Sequence, residues 1–334
     1  MRSNNNLGNF LSSMPQRRVV LAGLGMLLTT GSSMAQADVY PLKPIKLIAT
    51  IPPGSTTDSM LRYLAERMGT ILRQPVILDS RPGASGIVGT RGIATAPPDG
   101  YTIGMTSNGT LPAAPSLFKN LGYDINKGFT HIGIFSYLPY TLVVQKDLPA
   151  ANLKEFLVYA RTNPGKLSTG FYANSLRMAA SDLKRAAKLD IVEVPYKSST
   201  QILTDLKLGL IQFAFVPLSV AKIGQQADFL RIIGVTTEKR WDLLKEVPAI
   251  SEELPGYSNV AWTALSAPAG TPPEVIRKLK SVLDHVLTLP ETRERWNGFG
   301  AELVMGDGED VQKLVTRDTL LWANFAKEAN ITPE

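Results

Sequence analysis

The 334-residue chain has no cysteine, which removes disulfide scaffolds, thiolate metal sites and cysteine nucleophiles together. Histidine is nearly as scarce. His131 and His285 are the only two, too few for a multi-histidine zinc site, and each reads as structural or exposed. The apolar run Val19–Leu28 is only about half of the ~20 residues that cross a bilayer. Nucleotide-binding and nucleophile motifs are missing as well. Gly83, Gly86 and Gly89 are spaced G-x-x-G-x-x-G instead of G-x-G-x-x-G, and neither a G-x-x-x-x-G-K-[ST] loop nor a G-x-S-x-G elbow occurs.

What is present is the composition of a folded protein: 44% hydrophobic, 19% charged, mean hydropathy +0.01. The length suggests about two domains. A formal charge of +6 invites a nucleic-acid reading, but part of it belongs to an address. Residues 1–37 carry Arg2, Arg17, Arg18 and no acid, then the apolar run, then Ala35-Gln36-Ala37. This is the layout of a signal peptide cleaved after Ala37. Arg17-Arg18 loosely matches twin-arginine export, and the route stays open. Cleavage lowers the formal charge to +3. With no basic runs in the remainder, neither nucleic acid nor a membrane surface is an expected partner.

Beyond residue 40 one pattern repeats: a short apolar run of strand length, a polar loop, then an apolar stripe at helical spacing. Strands are predicted at 45–51, 75–78, 101–105, 142–145, 166–169, 191–194, 211–216 and 230–236. Helices follow, among them 153–162 and two in the tail, one carrying Val275, Leu279, Val282 and Val286 and one over 309–329. Alternating strands and helices predict a mostly parallel α/β sheet in two lobes. The loops between them, Pro52–Asp58, Asp79–Ser85, Thr106–Thr110, Gly170–Ser175 and Pro195–Ser199, are rich in Gly, Ser, Thr and Asn. They fall where open α/β sheets bind ligands and where helix N-termini attract anions. Taken singly, such residues also serve as ordinary caps and turns, and Asp58 has the position of a cap.

The mature chain resembles the Bug, or TctC-type, solute-binding proteins of tripartite tricarboxylate transporters. The resemblance is carried by Tyr40-Pro41-Leu42-Lys43-Pro44-Ile45-Lys46, Pro52-Pro53-Gly54 with Thr57-Asp58, and Arg81-Pro82-Gly83-Ala84. It continues through Ala96-Pro97-Pro98-Asp99-Gly100-Tyr101-Thr102, Asn163-Pro164-Gly165-Lys166-Leu167, Val194-Pro195-Tyr196-Lys197, Leu203-Thr204-Asp205-Leu206 and Ala267-Pro268-Ala269-Gly270-Thr271-Pro272. It implies a type II periplasmic binding fold: two α/β lobes joined by two crossover strands, with a ligand cleft between. Lobe 1 is expected at 38–140 and 261–334, lobe 2 at 141–260.

Ligand-binding residues implied in the first lobe are Ser55, Thr56, Asp58, Ser85, Thr106, Ser107, Asn108 and Thr110. Those in the second are Tyr172, Asn174, Ser175, Tyr196, Lys197, Ser198 and Ser199. The implied partners are a small organic anion bearing a carboxylate and the membrane permease subunits. A periplasmic monomer without cofactor, metal or enzyme activity is expected; the alternatives are a ligand sensor for a receptor and an enzyme on the same scaffold. The chain departs from the family pattern at Ser55-Thr56, where glycines are usual, in the loop Gly170 to Met178, around Val216 and at Ser198. One reading of these departures is a bulky or aromatic carboxylate, with Phe171 or Tyr172 on its ring and Arg177 on its carboxylate. The other is that both aromatics pack inside the lobe and Arg177 is solvated.

Overall fold

A computed structural model describes residues 40–333. The expected signal peptide, 1–37, lies outside the described residues. Ten strands form one curled sheet: β1 Ile45–Ala49, β2 Val76–Ser80, β3 Thr102–Ser107, β4 Phe129–Gln145, β5 Leu167–Phe171, β6 Ile191–Pro195, β7 Phe213–Pro217, β8 Leu230–Val235, β9 Val260–Pro268 and β10 Glu302–Leu303. Helices interleave them: α1 Thr56–Leu72, α2 Ile87–Ala94, α3 Ala114–Leu117, α4 Leu153–Thr162, α5 Asn174–Ala187, α6 Ser199–Leu208, α7 Leu218–Gln226, α8 Pro273–Thr288, α9 Pro290–Phe299 and α10 Gly308–Glu328.

The strand order is β2-β1-β3-β9-β4-β7-β5-β6, with β8 and β10 pairing along β4. β4 is shared by two halves. Its residues 129–139 pair with β9, while residues 140–145 pair with β7 and β8. The architecture is α/β in two lobes crossed by β4 and β9, as the resemblance implied. The sheet is less parallel than the strand–helix rhythm predicted. β1, β2, β3 and β5, β6, β7 pair in parallel, but every pairing of β4 and β9 is antiparallel.

Each half has three layers, because alternate strand side chains point to opposite faces and each face needs cover. In the first half, α1 and α8 bury Met60, Leu64, Leu279 and Val286 on one face with Leu47 and Leu265. On the other face, Val311 and Val315 of α10 pack with Ile48, Ile93 and Trp262. In the second half, Phe213 and Phe215 of β7 face Phe156 of α4 and Leu183 of α5, whereas Ala214 and Val216 face Ile202 of α6 and Ala221 of α7. Each large apolar side chain buried this way contributes about 1.5–3 kcal/mol.

The C-terminal helices are tied into the first half by buried indoles. Trp296 Nε1 donates to the Phe135 carbonyl at 2.9 Å, and Trp262 Nε1 donates to Asp318 Oδ2 at 2.8 Å. The longest strand differs most from expectation. The sequence predicts 142–145, but β4 begins at Phe129 and runs 17 residues. Gly133 and Pro139 interrupt its apolar pattern, and register shifts near 131–133 and 134–136 break the alternation. Such irregularities erase the period-2 signal while the ladder continues.

Candidate functional site

Loops at the C-terminal ends of β1, β3, β5 and β7 converge between the halves and enclose two adjoining cavities of about 480 and 340 Å³. Tyr140, Tyr172, Ala173, Ser175 and Ala261 line both. The larger cavity adds Ser85, Ser107, Asn108 and Trp322 from the first half, and Phe171, Asn174 and Tyr196 from the second. The smaller adds Ser55, Thr56 and Thr57, with Leu176, Pro217, Ser219 and Phe299. Among the described residues, no charged side chain lines either cavity.

Positive potential comes instead from backbone. Ser55 caps the 17-residue α1, its Oγ accepting from the Asp58 amide at 3.2 Å. Ala173 occupies the N-cap of α5 and has no side-chain acceptor, so no capping side chain competes with a ligand for the first-turn amides. The aromatic hydroxyls are set by neighbours. Tyr140 Oη donates to Ser175 Oγ at 3.0 Å, and burial pushes the Tyr140 hydroxyl up to about 12. Tyr196 Oη donates to Asp205 Oδ2 at 2.6 Å; burial and that carboxylate push it up to about 12 as well.

The structure thus brings Ser55, Thr56, Ser85, Ser107, Asn108, Tyr172, Asn174, Ser175 and Tyr196 to one cleft. It places the other six elsewhere. Asp58 is buried; its carboxylate accepts from the Gly54 amide at 3.0 Å and from Arg62 Nε at 2.8 Å, so it holds the loop as a cap would. Burial raises that carboxyl, but the Arg62 and Gly54 hydrogen bonds and the Arg62 charge outweigh it, and the net shift is below the usual range. Thr106 is buried, with Oγ1 2.7 Å from Ser266 Oγ, which in turn lies 2.8 Å from His131 Nδ1. Thr110 Oγ1 accepts from the Ser107 amide at 3.1 Å and shapes the loop from within. Ser198 caps α6, Ser199 begins it, and Lys197 lines a separate cavity of about 410 Å³ with Gln201 and Asp205.

Arg177 does not line the cleft; it is partly exposed and ion-paired. Its Nε donates to Glu193 Oε2 at 2.8 Å and its guanidinium lies 5.3 Å from the Phe171 ring centre, behind the cavity wall. Phe171 and Tyr172 do both things at once, packing against the lobe core and lining the cleft. Sequence reasoning missed Tyr140, Ala261, Phe299 and Trp322, which reach the cleft from the crossing strands and tail helices. Ser219 was within reach of the rule that found the other loops, because it follows β7 and opens α7.

Residues 60–331 match the TctC family, described as tripartite tricarboxylate transporter family receptor. The chain belongs to the TctC family. A relative described as a UPF0065 protein in the tcbD-tcbE intergenic region of Pseudomonas sp. (strain P51) is 31% identical over 93% of this chain and 94% of that one. Among solved structures, R. palustris Rpa4515 with adipate is 30% identical at a TM-score of 0.72, covering 88% of this chain and 100% of that one. The periplasmic binding protein BugD is 29% identical at a TM-score of 0.69, with the same coverages. The family is one of solute-binding receptors, and among the described residues no helix is long and apolar enough to cross a membrane.

Proposed function

We propose that this TctC protein captures a small carboxylate-bearing metabolite in the periplasm and presents it to the permease subunits of a tripartite tricarboxylate-type transporter. The supporting observation is the cleft, where hydroxyls, amides and helix N-termini from both halves converge on a cavity without charged side chains. One carboxylate can be held there by neutral donors and dipoles, with no protein cation to release on binding. The family and the adipate-bound relative support the same ligand chemistry. In this reading Ser55, Thr56, Ser85, Ser107, Asn108, Tyr172, Asn174, Ser175 and Tyr196 contact the ligand; Asp58, Thr106 and Thr110 hold the loops that carry them.

The lobes, 38–140 with 261–334 and 141–260, move about the crossing strands as a hinge. The mature protein is an exported monomer beginning at Asp38. Isothermal titration of residues 38–334 with adipate, malate, citrate, benzoate and a neutral sugar tests the ligand class. Saturable binding of at least one acid and none of the sugar is expected, and sugar binding alone would overturn the reading. Intact-mass measurement on a periplasmic fraction tests cleavage after Ala37.

A further inference from the structure

The outer wall of the larger cavity comes from a place unrelated to the strand–loop–helix rhythm. Trp322, near the end of α10, lines the cavity with the little of its surface that stays accessible, 3% in all. It belongs to an apolar cluster with Ala113, Phe325 and Met178, where its ring meets Phe325 edge-on with centroids 5.5 Å apart. Ala113 and α10 belong to the first half; Met178 sits on α5 of the second, four residues beyond the cleft residue Asn174. The seam is joined once more by Arg177, whose Nη2 donates to the Ala329 carbonyl at 3.4 Å. Met178 and Phe325 do not line the cavity.

The indole therefore bounds the ligand space and shares a buried apolar cluster with Met178 from the opposite half. A rigid, two-torsion side chain fixed by such contacts defines a boundary that a flexible residue cannot. We infer that Trp322 is a specificity-determining residue, limiting the length of the carboxylate the cleft accepts, and that Met178 positions it across the seam when the halves close. This rests on the reading of the cleft as a carboxylate site.

The test is titration calorimetry of the mature protein, Trp322→Ala, Trp322→Phe and Met178→Ala with succinate, adipate, suberate and sebacate. Trp322→Ala should shift the preference toward the longer acids, changing the sebacate-to-succinate affinity ratio at least tenfold, with Trp322→Phe in between. Met178→Ala should weaken all four acids by one similar factor, about three- to tenfold. A Trp322 that is only structural would lower every affinity equally, and an unchanged length preference in Trp322→Ala overturns the inference. Trp322→Phe keeps a ring in the seam and decides the matter alone if the alanine variant does not fold. Wild-type protein that binds one acid without any length-dependent response to the Trp322 variants rejects this inference and leaves the carboxylate reading standing. Wild-type protein that binds none of the acids rejects both.

Discussion

The hydroxyl of Tyr140 donates to Ser175 Oγ at 3.0 Å, tying the strand shared by the two halves to the first turn of the helix that opens onto the cleft. Tyr140 sits where β4 changes partners, its amide donating to Thr236 Oγ1 at 2.9 Å. A residue at the partner change of β4 and a residue lining the cleft are thus one hydrogen bond apart.

Tyr140→Phe keeps the ring and removes only that bond. A neutral hydrogen bond is worth about 0.5–1.5 kcal/mol net, so stability should fall by about that much, and ligand affinity should fall with it because Ser175 loses the partner that orients its hydroxyl. Titration calorimetry and chemical denaturation of the same variant separate the two. A fall in stability without change in affinity would show that the bond serves packing alone.

Asp58→Asn should destabilise the protein by about 1–3 kcal/mol near neutral pH, because it loses charge-assisted bonds from Arg62 and the Gly54 amide. The folded carboxyl titrates below its unfolded value of 3.8, so its contribution is present above that pH and lost as pH falls through the lower folded value. Urea denaturation between pH 3 and 7 should show a shallower acid limb in the variant than in wild type.

His131 is buried beside Ser266, and burial lowers its imidazole from 6.5 to about 4. Between those values the unfolded chain takes up a proton that the folded chain refuses. Stability should therefore be complete above pH 6.5 and decline as pH falls toward 4, by at most about 1.4 kcal/mol per pH unit. His131→Gln should flatten that part of the pH profile. Equal slopes in wild type and variant would refute the assignment.

Gly86→Ala should cost about 2 kcal/mol or more and weaken ligand binding. Gly86 has φ +94, and a Cβ there would come within 2.8 Å of Thr110 Cγ2 and 2.9 Å of the Thr50 carbonyl oxygen. The carbonyl is backbone and cannot move aside alone, so Ser85 would be displaced from the cavity. Thermal unfolding and titration of the variant check both parts.

How much of the cleft was legible followed from how local its signals are. Ser107 ends β3, Ser55, Asn174 and Tyr196 come shortly after strand ends, and turn or cap chemistry announces such positions in sequence. Arg177 was legible only as a cation near the loop; its pairing with Glu193 joins residues from a helix and a neighbouring strand, which spacing does not encode. Asp58, Thr106 and Thr110 have the polar character of ligand contacts, yet Asp58 and Thr110 bond within their own loops and Thr106 bonds Ser266 of the neighbouring strand β9. Residue type could not distinguish those directions.

By itself the sequence determined the absence of thiol chemistry, the alternation of strands with helices, and the polar loops at strand ends. These depend on composition and on periods of two and 3.6, which are properties of neighbouring residues. Only the tertiary structure decided that one 17-residue strand serves both halves, and that Tyr140, Ala261 and Trp322 close the cleft. Those placements arise from long-range pairing and packing, where residues more than 100 positions apart satisfy each other's buried surface, and no local pattern carries that information.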